Sequence, residues 1–457
     1  MAQTNLNDLT RLISEIPATG PRYTSYPTAN LFYETGFESA YAKAWDEDSG
    51  DPISVYLHVP FCSTVCFYCA CNKVHTANPV HAKNYTEHVK REIDLQAAVT
   101  DRRGVSQLHF GGGTPTTLDH GQMAEIFAAL KAHYVLDSSA ERDFSIELDP
   151  RKTYPSRVEQ LASLGFNRIS VGVQDFEPEV QHAINRVQSE QQTAEVLSAA
   201  RAAGMQSTSV DLIYGLPKQT SAGFYRTIER TLRLDPDRIS LYNYAHLPEL
   251  FKIQRQIRSK ELPEAETKLT LLRTAIEQFE SAGYVYLGMD HFAKRSDSLV
   301  IAGNSGTLQR NFMGYSTHAD CDLLALGVSA IGAAGSLYTQ NHKTLNDYYG
   351  AIDSGRLPLA KGLVMTDDDR VRRYVIQSLM CRMALCKHDF EDRFGLSFDA
   401  YFAAEAKELQ RHEAQGLLRL AEDRIEVTDI GRFFIRNICM TFDAYLKQSE
   451  ARFSKTI

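Results

Sequence analysis

The sequence has no long apolar run. Its most apolar stretch, LLALGVSAIGAAG (Leu323–Gly335), is too short and too rich in glycine to cross a bilayer, which takes about 20 apolar residues. The opening residues, MAQTNLNDLTRL, lack the basic start and apolar core of a secretory signal. A cytoplasmic protein is therefore expected, in a compartment where thiols stay reduced. Excess positive charge is also missing: 49 Lys and Arg stand against 57 Asp and Glu in 457 residues, a net charge of −8. That balance excludes nucleic acid as a default partner, and an anionic small substrate must be met by local Arg or Lys. There is no low-complexity tract, short repeat, heptad run or apolar interface stripe, so a monomer is expected. Cysteine is sparse outside one loop. Cys321, Cys381, Cys386 and Cys439 are scattered, whereas Cys62, Cys66, Cys69 and Cys71 fall within ten positions. A disulfide framework would be spread through a small secreted chain, so a staple is the weakest reading of the loop.

What the sequence does have is an alternation of strand-like and helical patterns. Runs rich in Val, Ile and Tyr occur at 53–59, 105–110, 144–149, 168–174, 207–215, 238–245 and 284–289. Between them lie amphipathic patterns such as TKLTLLRTAIEQFESAG, where Leu269, Leu272, Ile276 and Phe279 share one face and Gly283 follows. This alternation predicts an α/β fold with a parallel sheet, open or closed into a barrel. Six of the strands end in polar or glycine-rich sequence, and ligands collect at the carboxyl ends of parallel strands. The cysteine loop opens directly after the first strand and so shares that mouth. Residues 1–50 form an N-terminal segment containing the loop-like GPRYTSYPTA, 51–345 the α/β body, and 346–457 a mostly helical, winged-helix-like domain with a hairpin at GLLRLAEDRIEVT.

The cysteines are spaced C-x3-C-x2-C-x-C. Structural zinc prefers two well-separated cysteine pairs. Three local cysteines can instead hold three irons of a 4Fe-4S cube and leave the fourth iron open. The spacing thus favours a cluster over zinc, which stays open as an alternative. With Phe67 and Tyr68 before the third cysteine, the loop resembles the signature of the radical S-adenosylmethionine superfamily. That resemblance implies a partial (β/α)6 barrel, with Cys62, Cys66 and Cys69 as cluster ligands and the open iron bound by S-adenosylmethionine. The cofactor would be cleaved reductively to a 5′-deoxyadenosyl radical.

GPRYTSYPTA, YLHVPFC, CNK, FGGGTPT, IELDPR, GVQDF, DLIYGLPKQT, NYAHLP, GMDHFA, RNFMGYST and IRNICM extend the likeness. Together they resemble the oxygen-independent coproporphyrinogen III oxidase family from about residue 20 to the C-terminus. Family membership implies conversion of two propionates of coproporphyrinogen III to vinyl groups, giving protoporphyrinogen IX in heme biosynthesis. Two S-adenosylmethionine molecules are implied, with an electron donor and an electron acceptor that the sequence does not name. Carried over by motif, Tyr56, Gly112, Glu147 and Ile331 would line the cluster-bound molecule. Tyr68, Gly113, Thr114, Gln174, Arg186, Asp211 and Ala245 would line the second. Cys71, beside the cluster but not on it, would serve catalysis as a proton or hydrogen donor. For the tetrapyrrole substrate, Arg22 and Arg310 are the expected cationic contacts and Phe312 the packing surface. The chain departs from the family pattern at Met313, where RNFMGY replaces the more usual RNFQGY, and at Ala70. Competing expectations are a heme-binding chaperone or a heme-degrading radical methyltransferase on the same scaffold, and a zinc-stabilised DNA-binding regulator.

Overall fold

The computed structural model describes residues 12, 15–16, 19–46, 51–100, 103–318 and 321–446. Of the opening stretch MAQTNLNDLTRL, all but Leu12 lies outside these residues. Six strands pair in parallel: β1 (Ile53–Val59), β2 (Gly104–Gly112), β3 (Asp143–Leu148), β4 (Arg168–Gln174), β5 (Ser207–Tyr214) and β6 (Arg238–Asn243). Each is followed by a helix: α1 (Pro79–Ala97), α2 (His120–His133), α3 (Pro155–Leu164), α4 (Glu190–Ala202), α5 (Ser221–Leu234) and α6 (Ala265–Ser281). Their ends follow from local chemistry. Asn78 caps α1 ahead of Pro79, and Asp119 with Gln122 and Ser189 with Gln192 close capping boxes on α2 and α4. At the end of α3, Gly165 takes the left-handed conformation that terminates a helix.

The barrel is partial, as expected. Beyond β1 the sheet continues with Leu323–Leu326 in parallel, then Ile331–Ala334, Leu337–Asn341 and Leu359–Val364 in antiparallel. At the other edge β6 meets His291–Lys294 and then Tyr284–Gly288, both antiparallel, and the two edges do not join. The run at 284–289 is therefore an antiparallel edge strand rather than a seventh parallel one. Gly288 and Met289 at φ 119° and 51° turn the chain straight back. The large sheet also takes a strand from Leu359–Val364, within the stretch expected to be mostly helical.

Side-chain alternation separates two environments. Val55, Leu57, Leu108, Phe110, Ile146, Val171, Val210 and Ile239 are fully or almost fully buried in the core that packs under the helices. The intervening positions are polar. Gln107, His109, Ser145, Ser170, Ser209, Ser240 and Arg238 line a cavity of about 130 Å³ within the barrel.

After the sheet, helices Asp367–Arg382, Lys387–Phe394 and Ala406–Ala414 surround a small sheet in which Arg424–Val427 pairs with both Leu418–Leu420 and Ala384–Cys386. The expected hairpin is present. The ends of the described chain clasp one another. Arg436 donates to the carbonyls of Gly20 and Pro21, Tyr23 donates to Asp443 at 3.0 Å, and the Ala444 amide donates to the Tyr26 hydroxyl at 3.0 Å.

One buried carboxyl ties α1 to the sheet. Glu92 accepts from the Gly327 amide (2.7 Å), the Asn341 amide group (2.7 Å) and the Tyr348 hydroxyl (2.6 Å). Beside it, the Tyr85 hydroxyl donates to the His58 carbonyl at 2.5 Å and accepts from the Val328 amide. Burial raises the Glu92 carboxyl from 4.5 to about 7. Between those values the folded chain holds a proton that the unfolded chain has released. Stability is therefore full below the lower value and falls as pH rises to the upper one. At about 1.4 kcal/mol per pH unit the loss is roughly 3 kcal/mol. Glu92→Gln is expected to lack this share of the slope when urea unfolding is compared at about pH 5 and about pH 7.5. An unchanged slope would show that the carboxyl titrates normally.

Candidate active site

The chain leaves β1 through Pro60 into a two-residue strand, Phe61–Cys62, which pairs in parallel with Val74–His75. The intervening loop carries Cys66, Cys69 and Cys71. Four backbone hydrogen bonds hold its root: Gly113 to the Val59 carbonyl, Thr114 to that of Phe61, Val74 to that of Pro60 and Thr76 to that of Cys62, all between 2.8 and 3.0 Å. The glycine run makes this possible. A Cβ on Gly113 would sit 2.8 Å from the Pro60 and Phe61 carbonyl oxygens, and one on Gly112, at φ 113°, would strike the His58 ring at 2.6 Å. The far side of the loop is pinned by the Phe67 amide on the Ile184 carbonyl and the Asn185 side chain on that of Val65.

A cavity of about 320 Å³ opens at this point. Cys62, Cys66, Cys69, Cys71, Tyr68, Gly112, Gly113, Thr114, Glu147, Gln174, Arg186 and Asp211 all line it. The structure thus brings together twelve of the residues singled out from sequence. Tyr56, Phe312 and Ile331 line an adjoining cavity of about 540 Å³ that also touches Cys71, Met313 and Lys343. Ala245 lines neither. Its carbonyl and that of Tyr68 accept from the same amide, Gln254 Nε2, at 3.1 and 2.9 Å. Neither Arg22 nor Arg310 lines the two cavities. Both turn to buried Asp290, Arg22 at 2.5 Å and Arg310 at 3.8 Å, and they lie over the rings of Tyr242 and Tyr315. Burial opposes charge on Asp290, but the two guanidinium groups outweigh it and hold the carboxyl below its ordinary range.

The cavity holds charges of both signs. Cations face the cysteines: Arg186 Nη1 lies 3.5 Å and Arg151 Nη2 3.7 Å from Cys66 Sγ, and Lys73 donates to the Cys69 carbonyl at 3.0 Å. Thr114 points its hydroxyl at Cys62 Sγ, 3.7 Å away. Carboxyls line the same cavity. Glu147 accepts from the Gly112 amide at 3.1 Å and faces His109 Nε2 at 3.4 Å. Burial, then the charge of Glu147, raises Asp211 to about 7. His58 donates from Nε2 to the Asn72 carbonyl, which leaves Nδ1 to accept from Tyr56 at 3.0 Å.

The thiols fit an iron–sulfur group. All four are free. A hydrogen bond from Cys71 and the charge of Lys73 pull Cys69 down to about 6, whereas Cys71, sharing that bond, is pushed well above the ordinary thiol range. Cys69 is thereby favoured as the thiolate that a metal requires. Burial pushes Cys62 up to about 11, so loading metal there releases a proton. Arg186 Nε is buried without a hydrogen-bond partner while the same guanidinium donates to the Gly172 carbonyl and pairs with Asp149. An orphaned buried donor of this kind suits a ligand carboxylate.

Sequence reasoning passed over His58, His109, Arg151, Tyr242 and Lys343. The signal for His58 and His109 was the period-two polar alternation in ISVYLHV and VSQLHF, which places them on the inner face with Tyr56.

A cysteine loop at the carboxyl end of the first strand of an open parallel barrel defines a radical S-adenosylmethionine protein. Residues 56–231 match the family model "Radical SAM superfamily", and residues 365–434 match "HemN C-terminal domain". The oxygen-independent coproporphyrinogen III oxidase of Pseudomonas aeruginosa is 47% identical over 450 residues, 98% of each chain. That of Escherichia coli is 44% identical over 448 residues, again 98% of each. The solved structure of the Escherichia coli coproporphyrinogen III oxidase, described as a radical SAM enzyme, superposes with a TM-score of 0.91 at 43% identity, covering 96% of this chain and 99% of that one. The chain belongs to the oxygen-independent coproporphyrinogen III oxidase family.

Because the glycine run and the cysteine loop share one backbone seam, Gly113→Ala is expected to displace the loop. We expect a stability loss of about 1–3 kcal/mol and lowered iron content after reconstitution. Gly350→Ala, in a helix where a Cβ meets nothing within 4 Å, should keep its iron and gain up to about 1 kcal/mol of stability. Thermal unfolding and iron analysis measure the two effects separately.

Proposed function

We propose that this site carries out the oxygen-independent oxidative decarboxylation of two propionate side chains of coproporphyrinogen III to vinyl groups, giving protoporphyrinogen IX. The observation that carries the reading is the meeting of the cysteine thiols, the orphaned Arg186 nitrogen and the carboxyls of Glu147 and Asp211 in one cavity. It is found in a chain whose relatives bear the name of this activity along nearly their whole length. Cys62, Cys66 and Cys69 would hold a 4Fe-4S cluster with one iron open to S-adenosylmethionine, and together these cofactors supply radical chemistry at an unactivated carbon that no side chain can perform.

The protein's own residues bind and orient. The amides of Gly112, Gly113 and Thr114 are already engaged by Glu147, Val59 and Phe61, so this edge would offer carbonyl oxygens to an ammonium group. With Glu147, Tyr56 and Ile331 it would form the place of the cluster-bound cofactor. Arg186 would receive a second cofactor's carboxylate, and Gln174 and Asp211 its hydroxyls. Tyr68 would pack against its ring, and Ala245 would act from behind, tied to Tyr68 through Gln254. A cation or hydroxyl donor beside Asp211 would return that carboxyl towards its ionised form. Cys71 lines both cavities, between the cluster and the tetrapyrrole side, and would serve there as a proton or hydrogen donor. Phe312 and Lys343 line the larger cavity and suit an apolar macrocycle with carboxylate arms. Arg22 and Arg310 would contribute through exchange of Asp290 for a propionate, since Arg310 Nε and Nη1 are buried without partners.

We further read residues 1–50 as an N-terminal segment of the mouth, 51–345 as the catalytic body and 346–457 as a helical domain. The protein would work as a cytoplasmic monomer. No described helix is long and apolar enough to cross a membrane.

Cys62→Ser, Cys66→Ser and Cys69→Ser should each abolish cluster assembly, whereas Cys71→Ser should keep its iron and lose turnover. Loss of iron from Cys71→Ser would overturn the ligand assignment. The activity itself is tested anaerobically with reconstituted protein, S-adenosylmethionine, a low-potential reductant, an electron acceptor and coproporphyrinogen III. Vinyl product and 5′-deoxyadenosine are expected to appear in step. Deoxyadenosine without vinyl product would point to another tetrapyrrole substrate.

A further inference from the structure

Within an acidic chain, one cleft is lined by arginine and by no carboxylate among the described residues. Arg370, Arg373 and Arg382 project from the helix Asp367–Arg382 and Arg393 from the following helix, around a space of about 450 Å³ floored by Thr307–Gln309. It shares no lining residue with the cysteine cavity or its neighbour. The same helix shows what a neutralised arginine looks like. Arg372, on another face, pairs with Asp368 and Glu405, each at 2.8 Å. Within the cleft, Arg370 pairs with Asp367, whereas among the described residues Arg373, Arg382 and Arg393 have no carboxylate partner. Arg373 Nε is moreover buried without a hydrogen-bond partner. Its guanidinium lies over the Tyr338 ring at 5.7 Å and that of Arg393 over the Tyr374 ring at 5.4 Å. Stacking orients these charges but does not neutralise them. A cleft lined by charges of one sign attracts an anion. The volume falls in the range of small-ligand sites.

We propose that this cleft binds a small organic polyanion, carrying two or more carboxylate or phosphate groups, at a site distinct from the active centre. Arg373 and Arg382 supply the principal contacts, and Arg393 closes the opposite side. Tyr338 carries Arg373 near the mouth, because Phe312 meets the same ring edge-on at 5.9 Å.

The test is calorimetric titration of the reconstituted enzyme at low salt, with tricarballylate and with fructose bisphosphate in separate runs. At least one should saturate with Kd below about 1 mM and weaken as salt is raised. The double variant Arg373→Gln/Arg382→Gln should lose at least about tenfold in affinity, and the single variant Arg393→Gln should lose about threefold even if the double variant proves unstable. Arg424→Gln, an exposed arginine paired with Asp423, should change nothing. Saturation by tricarballylate alone assigns the carboxylate class, and by the bisphosphate alone the phosphate class. Failure of both to saturate the wild-type enzyme, or binding unaffected by the variants, would overturn the proposal.

Discussion

The site depends on the seam where the end of β2 lies against the exit from β1. Gly113 and Thr114 donate to the carbonyls of Val59 and Phe61, and Gly112 and Gly113 have no Cβ to hold those backbones apart. Neighbouring strands normally keep side chains between themselves and whatever lies above them. Here two main chains touch directly, and the loop that carries Cys62, Cys66, Cys69 and Cys71 grows out of the contact. The position of the sulfurs is thereby set by hydrogen-bonded backbone on a buried sheet, which is far stiffer than a surface loop. Tyr85 reinforces the same strand end from beneath through the His58 carbonyl.

From this frame follows the arrangement of charge. Arg151, Arg186 and Lys73 gather by the cysteines with Asp149 among them, and Glu147 and Asp211 line the same cavity. A zwitterionic ligand with an ammonium and a carboxylate finds partners of both signs there. Burial sharpens the effect, since the same pairings in open water would be largely screened. Asp149 illustrates it: burial disfavours its charge, yet Arg186 and Arg151 together keep it ionised below the ordinary range.

Much of this was legible in the sequence because it rested on local pattern. ISVYLHV and RISVGVQ coincide with observed strands, and the cysteine spacing named its own chemistry. Residues that line one cavity were found by motif from Tyr68 to Asp211. What escaped was of two kinds. The antiparallel strands beyond residue 290 are short and broken by Gly306, Gly314, Gly327 and Gly335, so no period could be read across them. The partners of Arg22 and Arg310 were equally hidden. Asp290 stands 268 residues from Arg22, and no local pattern announces a pairing of that span. The serines at 145, 170, 209 and 240 were visible but unread. Once the strands are aligned, they show that the inner face of the barrel is polar and the hydrophobic core lies outside it.

The clasp between the two ends of the described chain bears on how the molecule is completed. Arg22 reaches Asp290 from a segment whose own backbone is held by Arg436, Tyr23 to Asp443 and Tyr26 to Ala444. Those contacts close loops of more than 400 residues, the costliest in entropy and the last that a chain growing from its N-terminus can make. None of these contacts involves a residue of the six parallel strands or of the cysteine loop. A nascent chain would therefore hold its metal-binding loop before the wall beside it is in place, with Arg22 waiting on residues not yet synthesised.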